Sequence, residues 1–283
     1  MMKLIRHNLP FLLFSLALCF LLMTGCANYG RQGKLSVPDV RPGFPAGYLP
    51  LDAAPNSLFL LPPPPPPGSA AIGLDEDISR KSLALYGSPR WVLAGSDADL
   101  SFPHAAGTFS CTLGIPISEE ETPFLYILLR RTMTDAIIST ISAKNYYRRV
   151  RPFAVNQAPV CNRERKTDLN KDGSYPSGHT AIGWTWALIL SELDPEHSDA
   201  ILARGRAFGE SRLVCNVHWH SDMIEGRLMG SAVVSRLHAN SAFLADLKAA
   251  KDEIASVRVK KLQPARNCTE EAAALSRHFI TIP

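Results

Sequence analysis

The amino-acid sequence predicts an all-α protein, a single compact helical domain with no substantial sheet. Apolar residues recur at helical spacing along several long stretches, and no convincing run shows the alternation that is typical of half-buried strands. The sequence also contains no internal repeat. Apolar residues make up 46% of the 283 positions and charged residues 20%, which favours a folded chain with a sizeable core.

The predicted helices span residues 75–86, 90–98, 118–150, 180–193, 197–214 and 221 to 247 or beyond. The third has the clearest pattern, because acidic residues at 119–121 suit a first helical turn. Pro152 is expected to end it, since a proline disfavours helix at the preceding residue. Residues 99–116 and 153–176 are predicted loops, and a loop as long as the second is more often functional than idle. Residues 262–283 show no clear pattern.

The N-terminus has the pattern of an export signal, with a basic start followed by an apolar run over residues 11–23. The run ends in Leu-Met-Thr-Gly-Cys, which is similar to a bacterial lipobox with Cys26 as the lipid-acceptor residue. Ordinary cleavage near residues 25–27 is the alternative. A membrane-spanning anchor is disfavoured because the run is shorter than the about 20 residues that a span needs. We therefore expect a periplasmic protein, with lipidated Cys26 as an optional tether to the outer membrane.

The predicted organisation has three parts: a signal peptide over residues 1–25, an N-terminal arm over 26–69 and a helical domain over 70–283. The arm contains six consecutive prolines at 62–67, which favour a stiff polyproline II rod. Both a spacer and a docking ligand for a partner fit this rod. The apolar run at 58–61 suggests that the arm packs on the domain.

The net charge excludes a general nucleic-acid binder. The formal charge of +4 includes Lys3 and Arg6 of the signal, and without them 28 basic residues face 26 acidic ones. Any positive field must therefore be local. The sequence leaves the oligomeric state open, a homo-oligomer included.

The cysteines outside the signal and lipobox predict two disulfides. Cys111, Cys161, Cys215 and Cys268 are even in number, as is usual for an exported protein, and three pairings are possible. Their spacings match no zinc site. We favour a bond between Cys161 and Cys215, because both flank the polar motifs described next.

The first motif is Gly-Ser-Tyr-Pro-Ser-Gly-His-Thr at residues 173–180, at the predicted start of an apolar helix. A helix N-terminus presents unpaired N–H groups and roughly half a positive charge, so it binds anions readily. Ser177 can cap this helix or donate a hydrogen bond, Gly178 lets the backbone approach an anion, and His179 can carry a proton. The same residues are also ordinary turn formers.

The second motif is a pair of cations, Lys144 and Arg151, seven residues apart. If the helix continues that far, both side chains lie on one face, roughly 10 Å apart along the axis. A solvated basic end of the helix is the alternative interpretation.

The third motif combines Arg212, His218 and Asp222. Four residues separate the histidine from the aspartate, so on a helical turn the carboxylate can reach one imidazole nitrogen. Such a carboxylate fixes the tautomer and leaves the other nitrogen with its lone pair, as a nucleophilic histidine requires. A purely structural His–Asp pair is the alternative.

Two metal sites are disfavoured. Residues 168–173 match the opening of an EF-hand loop, but the twelfth position is His179 where a bidentate glutamate is needed. His218 and His220 lack a third ligand at suitable spacing.

Together the motifs, Lys144-x6-Arg151-Pro152, Pro-Ser-Gly-His at 176–179 and Ser-Arg-x5-His-x3-Asp at 211–222, resemble the tripartite signature of the type 2 phosphatidic acid phosphatase superfamily. That superfamily includes the vanadium haloperoxidases. The string at 173–180 resembles the variant in class A bacterial non-specific acid phosphatases, and the resemblance covers roughly residues 58–245.

The resemblance implies a helical phosphatase that acts on small phosphorylated substrates with no metal or other cofactor. His218 would attack phosphorus to form a phosphohistidine, Asp222 would orient His218, and His179 would protonate the leaving oxygen. An optimum at roughly pH 5–6 is expected. The implied phosphate-binding residues are Lys144, Arg151, Ser177, Gly178 and Arg212.

Other activities fit the same residues less well. Phosphotransfer and nucleotide diphosphate hydrolysis would use the same site, and vanadate-dependent haloperoxidation would use the same anion pocket. A non-catalytic, anion-binding lipoprotein would require a decayed site, and the signature is intact. Asn145 and His220 stand where close relatives often carry an acidic residue and a glutamine, which affects substrate preference and pH profile.

Overall fold

A computed structural model describes residues 37–276, and the predicted signal peptide and Cys26 lie outside the described residues. Twelve α-helices and one two-stranded antiparallel sheet lie within the described range, which confirms the all-α prediction. The strands are β1 (Asp39–Arg41) and β2 (Phe44–Pro45). Short 3₁₀ turns cover Ala105–Phe109, Arg163–Arg165 and Pro195–His197.

The helices are α1 (Ser57–Leu60), α2 (Ala70–Leu83), α3 (Pro89–Asp97), α4 (Ser110–Leu113), α5 (Pro123–Tyr147), α6 (Pro152–Asn156), α7 (Lys166–Lys171), α8 (Gly178–Leu193), α9 (Ser198–Val214), α10 (His220–Leu237), α11 (Ser241–Val259) and α12 (Cys268–Leu275). None of those within residues 37–276 is long and apolar enough to span a bilayer.

Helix α8 is the centre of the bundle, packed against α5, α9 and α10. It is apolar around most of its circumference, and Ile182, Trp186 and Leu190 are fully buried. Helix α11 packs against α5 as well. Because neighbours surround α8 along its length, its N-terminus is fixed in position.

Glycines allow α9 and α10 to approach the first turn of α8 closely. A Cβ atom at Gly226 of α10 would lie 2.6 Å from the carbonyl oxygen of Ser177 and 2.9 Å from the Cβ of Thr180. A Cβ at Gly209 of α9 would lie 2.9 Å from Thr180 Cγ2. These glycines therefore set the distance between the two flanking helices and the N-terminus of α8.

The prediction that one helix runs through residues 118–150 is wrong at both ends. Helix α5 begins at Pro123 and ends at Tyr147, because Arg148 adopts a left-handed φ of 43° and its N–H bonds to the carbonyl of Lys144. Pro152 also begins a new helix, α6, at the first helical position, where a proline loses no hydrogen bond.

Other predicted boundaries also need correction. The helix expected from residue 221 to 247 or beyond is two helices, α10 and α11, and the side chain of Asn240 caps the second. Helix α2 starts at Ala70, five residues early, after the cap Ser69. The predicted loops 99–116 and 153–176 contain short helices, among them α4 and α7.

Residues of the predicted N-terminal arm contact the helical bundle. The buried carboxylate of Asp135 on α5 accepts hydrogen bonds from the N–H groups of Tyr48 and Leu49. Burial raises the pKa of Asp135 to about 6. Further along, the Ser57 hydroxyl accepts from the N–H of Ala143.

Two disulfides join distant segments. The predicted bond between Cys161 and Cys215 is confirmed, with a Cα–Cα distance of 4.9 Å, and the other bond joins Cys111 of α4 to Cys268 of α12. On a chain-entropy estimate, the first contributes about 4 kcal/mol to the free energy of unfolding. It ties the segment before α7 to the end of α9.

We expect Gly226→Ala to lower the free energy of unfolding by about 1–3 kcal/mol, because the new methyl group would overlap backbone of α8. Urea denaturation measures the change. Gly73→Ala is the matched control: Gly73 is exposed in α2, with nothing within 4 Å of an added Cβ. The control should gain up to about 1 kcal/mol from helix propensity. Equal effects of both substitutions would contradict the close-packing argument.

Candidate active site

The three sequence motifs converge at the N-terminus of α8. Ser177 is the N-cap: its hydroxyl accepts from the N–H of Thr180 at 3.3 Å and from the Thr180 hydroxyl at 2.9 Å. The N–H of Ser177 in turn donates to the carbonyl of Asp222 at 2.9 Å. This hydrogen bond links the start of α8 directly to the third motif.

Lys144 and Arg151 meet although they do not share a helix. The expected common helical face is wrong, because α5 ends before Arg151 and that residue has an extended backbone. The turn between α5 and α6 nevertheless brings both side chains to the same site. Lys144 Nζ donates to the Gly173 carbonyl at 2.6 Å, and both side chains lie near the Asp172 carboxylate.

Backbone carbonyls fix the guanidinium of Arg151. Its Nε donates to the carbonyl of Leu169 at 2.9 Å, and its Nη1 donates to the carbonyl of Val217 at 2.9 Å. Only 3% of the Arg151 surface is exposed. The side chain of Arg151 is therefore held by carbonyls from two other segments of the chain.

The predicted contact between His218 and Asp222 is present, with Nδ1 3.2 Å from Oδ2. His218 lies just before α10 and Asp222 in its first turn. On the other side of the ring, Nε2 lies 3.0 Å from Nη1 of Arg151. A guanidinium can only donate and a carboxylate can only accept, so this geometry requires the neutral tautomer with its proton on Nδ1. The Nε2 lone pair thus points into the cationic cluster.

The pKa of His218 lies well below its usual range. Burial is the main cause, and the positive charges of Arg151, Lys144 and Arg212 lower it further. The imidazole therefore stays neutral to a lower pH than a free histidine does. Burial, followed by the charge of Arg151, also lowers the pKa of Lys144, to about 8, so this ammonium is charged at neutral and acidic pH.

His179 and Arg212 line a small cavity of about 20 Å³ next to the disulfide between Cys161 and Cys215. Nε2 of His179 lies 3.2 Å from the carbonyl oxygen of Ala98, at the end of α3. A carbonyl only accepts, so Nε2 carries a proton. Arg212, in the last turn of α9, is 3% exposed. All eight predicted site residues thus lie around the first turn of α8 and the segments packed on it.

Gly178 leaves space beside Lys144. An added Cβ would lie 3.9 Å from Lys144 Cε and 3.6 Å from Thr140 Oγ1, which are ordinary contact distances. Packing within the protein therefore does not require a glycine here.

The stretch that matches the opening of an EF-hand loop is mostly helical. Asp168 lies in helix α7 rather than in a calcium-binding loop, and it pairs with Lys171 at 3.4 Å. Within residues 37–276 no three His, Cys, Asp or Glu side chains are grouped as metal ligands.

Comparison with known proteins agrees with this geometry. The pattern of the PAP2 superfamily matches residues 123–243. A non-specific acid phosphatase of Providencia stuartii is 44% identical over 212 residues, which cover 75% of this chain and 86% of that protein. A non-specific acid phosphatase of Salmonella typhimurium is 41% identical, covering 70% and 80%. An acid phosphatase of Zymomonas mobilis is 39% identical, covering 70% and 75%.

The chain belongs to the PAP2 superfamily. The resemblance drawn from the three motifs is thereby confirmed, including the likeness to bacterial non-specific acid phosphatases. The superfamily match begins at the first residue of α5 and ends in α11, so it includes all eight predicted site residues.

In this PAP2 protein Asp222 is supported by Arg149, which is not one of the signature residues. Arg149 Nη1 donates to Asp222 Oδ1 at 2.6 Å, and Nη2 donates to Asp75 Oδ2 at 2.7 Å. Asp75, on α2, also accepts from the N–H and the hydroxyl of Ser221. Burial raises the pKa of Asp222, and Arg149 opposes this rise.

The sequence offered only a weak signal for this support. Arg149 stands in a run of basic residues next to Arg148, and nothing in the run separates a partly buried arginine from an exposed one. Asp75 is more than 70 residues away in sequence from both of its partners. The contact between Arg149 and Asp75 therefore depends on the packing of α2 against α10, which the sequence does not indicate.

We expect Arg149→Gln to lower the free energy of unfolding by about 3–5 kcal/mol, because the buried carboxylates of Asp75 and Asp222 would both lose their cationic partner. Chemical denaturation followed by circular dichroism gives the value. Arg148→Gln is the control, since Arg148 is exposed, and it should change stability by about 0.5 kcal/mol or less. Similar denaturation midpoints for the two variants would rule out a supporting role for Arg149.

Proposed function

We propose that this protein is an exported, metal-independent acid phosphatase that hydrolyses phosphate monoesters of broad specificity through a phosphohistidine intermediate. The observation that carries the proposal is the neutral His218, whose Nε2 lone pair faces Arg151 in a cluster of buried cations. The names of the relatives, non-specific acid phosphatase and acid phosphatase, support the same activity.

Substrate binding would use the cationic cluster and the start of α8. Lys144, Arg151 and Arg212 supply three positive charges for the phosphate oxygens, and the N-terminal turn of α8 adds N–H groups and a partial positive charge. The same charges stabilise the equatorial oxygens as phosphorus becomes five-coordinate. These groups recognise the phosphate rather than the alcohol, which fits broad specificity.

The first chemical step would be attack by His218. An oxygen held by Arg151 places phosphorus next to Nε2, because the guanidinium lies 3.0 Å from that nitrogen. The Nε2 lone pair forms the N–P bond while the ester P–O bond breaks. The proton stays on Nδ1, where Asp222 stabilises the positive charge that develops on the ring.

His179, in its cationic form, would supply the proton for the leaving oxygen from Nδ1, because Nε2 donates to the Ala98 carbonyl. It is the second residue of α8, and it borders the same cavity as Arg212. After the alcohol departs as the protonated product, the imidazole accepts a proton from water, which attacks phosphorus and breaks the N–P bond. Inorganic phosphate is released, and neutral His218 is regenerated. Because side-chain cations supply the electrostatic stabilisation, no step requires a metal ion.

Export is supported by the sequence of residues 1–25 and by the two disulfides, which are typical of oxidising compartments. We infer a periplasmic location, with lipidation of Cys26 as the means of attachment to the outer membrane. Metabolic labelling with a fatty acid, compared between the native chain and Cys26→Ala, tests this tether.

We expect the purified protein to hydrolyse p-nitrophenyl phosphate in excess EDTA and to be inhibited by vanadate. His218→Ala should abolish turnover, a loss of about 10⁴-fold or more for removal of a nucleophile. Rapid acid-free quenching with ³²P-labelled substrate should trap acid-labile, alkali-stable label on the native chain and none on His218→Ala. His238→Ala, at an exposed histidine on a distant surface, is the control. Strict dependence on an added divalent metal would exclude the mechanism.

The pKa of Lys144, about 8, predicts a pH limit for anion binding. The ammonium is charged below this value and becomes neutral above it, so affinity for anions should fall as the pH rises through about 8. Sulfate is a suitable probe because its own charge is constant in this range. Its inhibition constant should rise between about pH 7 and pH 9. Lys144→Arg, which keeps its charge, should show a flatter profile, and a flat profile in the native enzyme would refute the assignment.

A further inference from the structure

The carboxylate of Asp172 lies on the two cations that are proposed to bind phosphate. Oδ2 of Asp172 is 3.2 Å from Arg151 Nη2 and 3.3 Å from Lys144 Nζ. A single oxygen atom therefore bridges a guanidinium and an ammonium, as a phosphate oxygen would. The mechanism derived above gives this carboxylate no role, and none of the three motifs contains it.

The cations do not depend on Asp172 for their orientation. Lys144 Nζ donates to the Gly173 carbonyl at 2.6 Å, and Arg151 is fixed by backbone carbonyls on both sides of its guanidinium. The backbone carbonyl of Asp172 also accepts from Arg151, at 3.2 Å, and this bond does not involve the carboxylate. Loss of the side-chain charge would leave these contacts in place.

The side chain of Asp172 is also free to move aside. It is 51% exposed, whereas the two cations that it bridges are 10% and 3% exposed. A rotation about its side-chain bonds would carry the carboxylate into solvent without displacing Gly173 or the start of α8. Exposed carboxylates lose little on such a move, because water replaces the ion pair.

We propose that Asp172 is an internal competitor for the anion subsite formed by Lys144 and Arg151, so that a substrate phosphate must displace its carboxylate to bind. This inference rests on the proposed function of the site. It makes Asp172 a determinant of substrate affinity and of inhibition by inorganic phosphate. It also separates Asp172 from the residues that carry out the reaction.

The opposite role would give the opposite result. If the carboxylate held Lys144 and Arg151 in place, its removal would let them move apart and would weaken phosphate binding. If it competes, its removal exposes both cations to the ligand and strengthens binding. The sign of the change in affinity therefore decides between the two roles.

The test is calorimetric titration of the full mature chain with inorganic phosphate at about pH 6, where Lys144, whose pKa is about 8, remains charged. Asp172→Asn keeps the shape and removes the charge, and it should lower the dissociation constant about three- to tenfold, as expected for loss of two partly exposed ion pairs. KM for p-nitrophenyl phosphate should fall in parallel, with kcat changed much less. An unchanged or raised dissociation constant would overturn the proposal.

Asp168→Asn is the matched control, because Asp168 is in the same segment, carries the same charge and contacts Lys171 rather than the site. It should leave the dissociation constant within about twofold. An equal gain in both variants would show a general charge effect and would overturn the proposal. Should Asp172→Asn not fold, Asp172→Ser makes the same test, and failure of both to fold would assign Asp172 a structural role instead.

Separate measurements of binding and turnover distinguish the proposed function from the competition by Asp172. If the native chain binds phosphate but hydrolyses no ester, the proposed function fails while the titration still measures competition by Asp172. If the native chain hydrolyses p-nitrophenyl phosphate and Asp172→Asn shows no gain in affinity, the function stands and the inference fails.

Discussion

A concentration of buried positive charge at the N-terminus of α8 is the constraint on which the rest of the structure depends. Lys144, Arg151 and Arg212 are each no more than a tenth exposed, and each lowers the pKa of His218. Removing such groups from water costs several kcal/mol per ion unless partners replace the solvent. For Lys144 and Arg151, backbone carbonyls at Leu169, Gly173 and Val217 supply part of that replacement. Carbonyls compensate desolvation without neutralising charge, so the cluster keeps its attraction for an anion.

The acidic partners are arranged so that this attraction persists. Asp222 and Asp75 are buried, but Arg149 binds both, and Asp222 faces the remote nitrogen of His218 rather than the cations. Asp172, which does reach the cations, is half exposed and can exchange with solvent. The buried carboxylates of Asp75 and Asp222 thus support the imidazole of His218. The displaceable carboxylate of Asp172 occupies the proposed phosphate-binding position. Helix α2, outside the superfamily match, contributes to the site through Asp75.

Local features of the site were easier to predict from the sequence than contacts between distant segments. The motif around Ser177 was placed correctly at a helix start, because capping and anion binding are local properties of a few residues. The shared helical face of Lys144 and Arg151 was wrong, because Arg148 ends α5 in a left-handed conformation that no propensity of arginine indicates. Both residues still reach the site, since contacts to Gly173 and Leu169 determine where they lie. Arg149, Asp75 and Asp172 were missed for the same reason: their roles depend on contacts between segments distant in sequence.

The same cluster reconciles two requirements of a phosphatase that works in acid. A histidine nucleophile must keep its lone pair at a pH where free histidine is largely protonated, while substrate binding needs positive charge. Burial and the neighbouring cations lower the pKa of His218, and those cations are also the phosphate ligands proposed here. The arrangement reduces stability at low pH, because the unfolded chain takes up a proton below about pH 6.5 that His218 refuses in the folded state. The disulfide between Cys161 and Cys215, on the wall of the site, offsets part of that loss by restricting the unfolded chain. The disulfide therefore supplies part of the stability that the cationic cluster removes as the medium becomes acidic.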